Sequence, residues 1–177
     1  MRVLGIATIS IVLLVAGCAR APESYPPPMQ RKALPEMEER AAGALVNMSD
    51  ANAEAYFVRD ISPALEGGRW RWTNARPELK FFLESTKGLK MVWEFSITEV
   101  TFQETGPVTV SFFVNGQAVG QVACPKPGDY KFERPVRQDL LRPNADNTLA
   151  AEASKLWVSK TDGVKLGFTM SRAGFMK

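Results

Sequence analysis

Histidine is absent from the 177 residues. That removes the side chain most often used as a general base near neutral pH, and the commonest metal ligand. Cysteine is nearly as scarce, with only Cys18 and Cys124, too few for a zinc-type cluster. Charge of one sign is also missing. The chain carries 22 basic and 19 acidic residues for a net +3, and it has no basic run of the kind that tracks a phosphate backbone. Nucleic acid is therefore not an expected partner. Paired carboxylates are lacking too. Glu94 and Glu99 fall on different faces of a strand-like run, whereas glycoside hydrolysis needs two acids held at a set distance in a cleft. With no nucleophile motif either, no enzymatic activity, cofactor or metal is expected.

A long hydrophobic run is the last absence. The apolar stretch from Val3 to Val15 falls short of the roughly 20 residues that span a bilayer. It has Met1-Arg2 before it and Val15-Ala16-Gly17-Cys18 after it. A charged start, a short apolar core and small residues at the cut make a secretory signal. Small residues followed at once by cysteine resemble a bacterial lipobox. That resemblance implies residues 1–17 as signal peptide, a diacylglyceryl thioether on Cys18, cleavage before it, and acylation of the new N-terminus. More than one acyl chain gives stable anchoring, so the expected place is the cell envelope. Ala19 after the cysteine implies, by the sorting rule of enteric bacteria, the outer membrane.

Residues 18–33 include Ala21-Pro22 and Tyr25-Pro26-Pro27-Pro28, which favour extended polyproline II and suit a tether. The alternative is a ligand for a proline-binding domain. If Cys18 carries lipid, Cys124 has no partner within the chain. It then reads as a small buried hydrophobe, with a reactive thiol or an intermolecular bridge as the alternative.

The remainder has one domain's length and a hydrophobic share of 45%, enough for a core. From Leu34 to about Met48 the apolar spacing predicts a helix, with Pro35 in its first turn; residues 34–54 are expected as helix and linker. After Tyr56 the period becomes two. Met91 to Ile97, Val108 to Val114 and Val164 to Met170 alternate apolar and polar as half-buried antiparallel strands do. Leu79 to Leu83 is more continuously apolar, as a central strand is. Asn115-Gly116 predicts a type I′ hairpin between strands running from Pro107 and toward Ala123. Turns are also expected at 125–129, 142–147 and 161–163. The expected fold is mainly β, an antiparallel sandwich over residues 55–177.

Several segments in order resemble a galactose-binding-domain-like jelly roll. They are Gly68-Arg69-Trp70-Arg71-Trp72-Thr73, Val110 to Gln117, Tyr130 to Val136, Leu140 to Leu149, and Asp162-Gly163-Val164-Lys165-Leu166-Gly167-Phe168. The resemblance implies a jelly-roll-like sandwich, a fold that serves sugar binding, protein binding and scaffolding alike.

Trp70 and Trp72 share one face of a strand, with Arg69 and Arg71 on the other. One reading is an aromatic platform for sugar rings, with Arg71 or Arg76 on hydroxyls or acids. The other is that both indoles fill the core. Trp157 points away from Leu156 and Val158, either as an outward contact or as a cap on the core edge. Trp93, among Met91, Phe95 and Ile97, is expected in the core. Asp129, Asp146 and Asp162 lie in turns, where Asp bonds its own backbone; a structural calcium is the alternative. The residues expected to touch a ligand are Trp72, Arg71, Arg76 and Trp157. The expected role is a non-catalytic envelope lipoprotein that binds or organises surface polysaccharide. The alternative is a protein-interaction subunit of an envelope assembly or polysaccharide-export complex.

Overall fold

The computed structural model describes residues 44–177. The signal segment, Cys18, the proline-rich tether and most of the helical stretch lie outside the described residues. In chain order the elements are β1 (Leu45–Asn47), β2 (Phe57–Ile61), β3 (Arg71–Leu83), β4 (Lys90–Ile97), α1 (Glu99–Thr105), β5 (Val108–Val114), β6 (Gln117–Cys124), β7 (Gly128–Pro135), β8 (Ala145–Ala153), β9 (Trp157–Val158), β10 (Lys165–Leu166) and β11 (Thr169–Met176). Single 3₁₀ turns occupy Ala53–Tyr56 and Gln138–Leu140. No helix of the described residues is long and apolar enough to cross a membrane.

The strands form two antiparallel layers. In one, β6, β5, β8 and β3 lie side by side with β2 on the far side of β3; in the other, β7, β4 and β11 do so, with β1 on β11. The 13-residue β3 serves both. Arg71 and Trp72 pair with β11, while Glu78 to Leu83 pair with β8. The inner faces meet through aromatic rings. Phe112 of β5 stacks on Phe132 of β7 with centroids 4.2 Å apart, and Phe81 of β3 meets Phe175 of β11 edge-on. Trp93 and Phe95 of β4 close on Phe112 from the side. Chain connections β3–β4, β4–β5, β6–β7, β7–β8 and β8–β11 pass between layers, as in a jelly roll. The protein is an antiparallel β-sandwich.

Strict alternation explains the layers. In β5 every second residue from Val108 to Val114 is buried, because successive side chains point to opposite faces. The Asn115-Gly116 turn has φ of 48° and 80°, the positive values a type I′ turn requires. Asn115 also donates to Leu140 O and Asn147 Oδ1 and accepts from Thr148 N. Asn147 is fully buried, accepts from Arg142 N and donates to the Arg142 and Ala145 carbonyls. The two asparagines knit the hairpin tip to the loop before β8.

Three expectations need correction. The helical spacing toward Met48 does not continue as helix, since Leu45–Asn47 is a strand paired with β11. Strand pairing with a buried edge satisfies backbone groups that a short, alanine-rich helix end leaves open. The sheet therefore begins ten residues before the expected boundary at 55. The run from Val164 is not one strand but breaks at Gly167-Phe168. There Thr73 locks the chain: its hydroxyl donates to Phe168 O and accepts from Phe168 N, and its carbonyl accepts from Gly167 N. Glu99 sits on α1 rather than on a strand. Thr98 caps that helix by accepting from Thr101 N, and Gly106 ends it at φ 63°.

Candidate functional site

Glu66-Gly67-Gly68-Arg69 forms a tight turn ahead of β3, with both glycines at positive φ and Arg69 N donating to Glu66 O. A Cβ on Gly67 would lie 3.1 Å from Trp70 Nε1, so the bare backbone there lets the indole fold down beside the turn. Trp70 then meets Trp72 edge to face, with centroids 5.8 Å apart. Both indoles are half-buried, unlike Trp93, which is fully buried in the core.

Each indole walls a hollow. The wider, of about 600 Å³, takes Arg69 and Trp70, then Glu94 and Ser96 of β4, Thr98, Asp129, Tyr130 and Lys131 of β7, and Thr169 and Ser171 of β11. The narrower, of about 440 Å³, takes Trp72 and Asn74 of β3, Asp60 to Pro63, and Ser159, Asp162, Val164 and Leu166 of the β9–β10 ribbon.

Charges in the wider hollow are largely matched. Glu94 lies 3.9 Å from Lys131 and 3.7 Å from Arg172, and Lys131 is 2.8 Å from Glu133. The hydrogen bond and charge of Glu133 push the Lys131 ammonium above its ordinary value, and Lys131 in turn holds the Glu133 carboxyl below its own. Asp129 accepts from the Ser96 hydroxyl, and the Tyr130 hydroxyl donates to Lys126 O at 2.6 Å. In the narrower hollow, Asp60 is held at φ 59° and accepts from Arg76 N at 2.9 Å. Asp162 accepts from Val164 N; the Ser159 hydroxyl, first, and that N–H hold its carboxyl below the ordinary value. This is turn chemistry.

Such linings suit a polyhydroxylated ring. The indole faces offer apolar area, carboxylates accept hydrogen bonds from hydroxyls, and Arg69 and Lys131 donate them.

Of the expected ligand residues, Trp72 lines a hollow. Arg71 does not. Its guanidinium is buried, donates to Met48 O, Glu54, Ser62 O and Pro63 O, and lies over the Phe57 ring. Through Nε and Nη1 it clamps the segment entering the sheet. Arg76 is ion-paired with Glu152 at 2.8 Å and lies 4.2 Å from the Phe113 ring centroid. It lines neither hollow. Trp157 is half-buried on β9, its Nε1 buried without a partner, and likewise lines neither. Sequence reasoning missed Arg69, Ser96, Asp129, Tyr130 and Thr169 as one group. Their gathering around one hollow depends on the β4–β7–β11 register and the turn before β3, which no local pattern displays.

Cys124 is fully buried, and its thiol is pushed up to about 11 by that burial.

No family model matches the chain, and no curated protein matches it. Solved structures do. A family 35 carbohydrate binding module from an environmental isolate is similar at 11% identity and a TM-score of 0.45, over 75% of this chain and 92% of that one. A CBM35 from Cellvibrio japonicus Abf62 is similar at 11% identity and 0.42, over 75% and 91%. A CBM35 from Paenibacillus barcinonensis is similar at 17% and 0.39, over 76% and 99%. Fold does not fix function, and what this chain recognises is decided by its own side chains.

Proposed function

We propose that this is a non-catalytic, lipid-anchored envelope protein whose β-sandwich binds surface carbohydrate. The observation that carries the reading is the Trp70–Trp72 pair. Two large indoles stand at the outer side of the sandwich, half-buried, each walling a hollow lined by hydroxyls and carboxylates. Core tryptophans close on other apolar side chains, as Trp93 does with Phe112. An indole beside convergent polar groups suits a ligand with one apolar face and a polar rim.

Binding without catalysis fits the carboxylates. Glu94 faces two cations and Asp129 holds Ser96, which suits gripping a ligand rather than passing it a proton. The anchor is Cys18, and the proline-rich segment after it is the spacer.

Tryptophan fluorescence of the full chain in detergent, titrated with the cell's own envelope polysaccharide, tests the reading. A saturable change that is lost in Trp70→Ala and Trp72→Ala, with the far-ultraviolet spectrum intact, is expected. A flat titration of folded protein contradicts it.

A further inference from the structure

We propose that the two hollows are one elongated site, which takes an internal stretch of a glycan chain laid across the strands rather than a single terminal sugar. This rests on the carbohydrate reading above and adds the form of the ligand.

The register carries it. Asp129 of β7 stands opposite Ser96 of β4, Ser96 opposite Thr169 of β11, and Thr169 opposite Trp72 of β3. Opposed residues of antiparallel strands face the same side, so these four form one row across the outer face. The row starts in the wider hollow and ends in the narrower. It continues to the segment after β2, where Ser62 N donates to Trp72 O at 2.9 Å. Neighbouring strands lie about 4.8 Å apart, so the row runs roughly 14 Å from β7 to β3. That length suits several linked rings.

The trough has a floor and a kerb. Between Asp129 and Trp72 the floor is Ser96 and Thr169, both small. A second row runs parallel, two residues along each of β7 and β4: Lys131, Glu94 and Arg172 stand opposite one another on the same face. Their mutual ion pairs make a charged kerb. The Trp70 indole of the wider hollow touches the Trp72 indole of the narrower one, so apolar surface joins the two. A site for one terminal ring would need a closed end. Here the row of small polar side chains in the wider hollow runs up to Trp72, which lines the narrower one.

The test is calorimetric titration of the full chain in detergent with envelope polysaccharide fragments, made by partial hydrolysis and sized from one ring to eight. Affinity is expected to rise at least about tenfold from the single ring to fragments of about four rings, then level off. Asn74→Ala, at the narrow end, and Asp129→Asn, at the wide end, should each weaken four-ring binding by about fivefold or more. At most one of them should affect the single ring. Saturable binding with the same affinity at every length overturns the elongated site and leaves carbohydrate binding standing. No binding to any fragment, with the near-ultraviolet spectrum intact, overturns both.

Discussion

At the scale of single residues, hydrogen-bonded side chains fasten the connecting segments to the sheets. Arg71 closes the segment between Met48 and Pro63 onto β3. Asn115 and Asn147 fasten the hairpin tip. Asn147→Ala strips partners from Arg142 N and from two carbonyls in a buried place; it should destabilise by about 3 kcal/mol, read by urea unfolding. Cys124 gives a second prediction. Its ordinary thiol value of 9.0 is raised to about 11 in the fold, so the folded state holds its proton where the unfolded chain loses it. Stability should be full below about pH 9 and decline as pH rises through about 11. Cys124→Ala should flatten that part of the stability profile, and the native thiol should resist a disulfide reagent at neutral pH.

At the scale of elements, strands with clean alternation were legible and the irregular ones were not. Met91–Ile97 and Val108–Val114 each bury one face, so a period of two survives in the sequence. Asn115-Gly116 announced its turn because few residues accept positive φ twice in succession. β1 escaped because three residues cannot show a period, and Leu45 and Met48 also fit a helix. α1 escaped because its signal is a single Thr98 cap over seven residues. The break at Gly167 was hidden because Lys165, Gly167 and Thr169 alternate with apolar neighbours as one strand would. A Cβ at Gly167 would sit 2.8 Å from Asn74 O. Gly167→Ala must therefore push the β10–β11 junction off β3. It should cost about 2 kcal/mol by thermal unfolding, and it should weaken binding at the narrower hollow. The spacing of Trp70 and Trp72 is visible in the sequence, but the side chains around Trp72 come from strands distant in sequence.

At the scale of the whole molecule, two sheets share one long strand, and the candidate site lies where that strand passes from one to the other. β3 leaves β11 after Trp72 and reaches β8 at Glu78. The turn before it brings in Trp70, and the β9–β10 ribbon closes the far side. The proposed anchor at Cys18, with the proline-rich segment after it, suits holding a polymer near a membrane. Cys18→Ala should move the protein from the membrane pellet to the soluble fraction; retention in the pellet would contradict the anchor.

The most direct measurement is of the four tryptophan indole N–H signals in ¹⁵N-labelled protein, recorded with and without envelope polysaccharide. The structure sorts them in advance: Trp70 and Trp72 wall the hollows, Trp93 is fully buried, and Trp157 lines neither hollow. The Trp70 and Trp72 signals should shift together and saturate, while those of Trp93 and Trp157 stay in place. A shift confined to Trp157, or four signals unmoved at saturating polysaccharide, would contradict a carbohydrate site at the tryptophan pair.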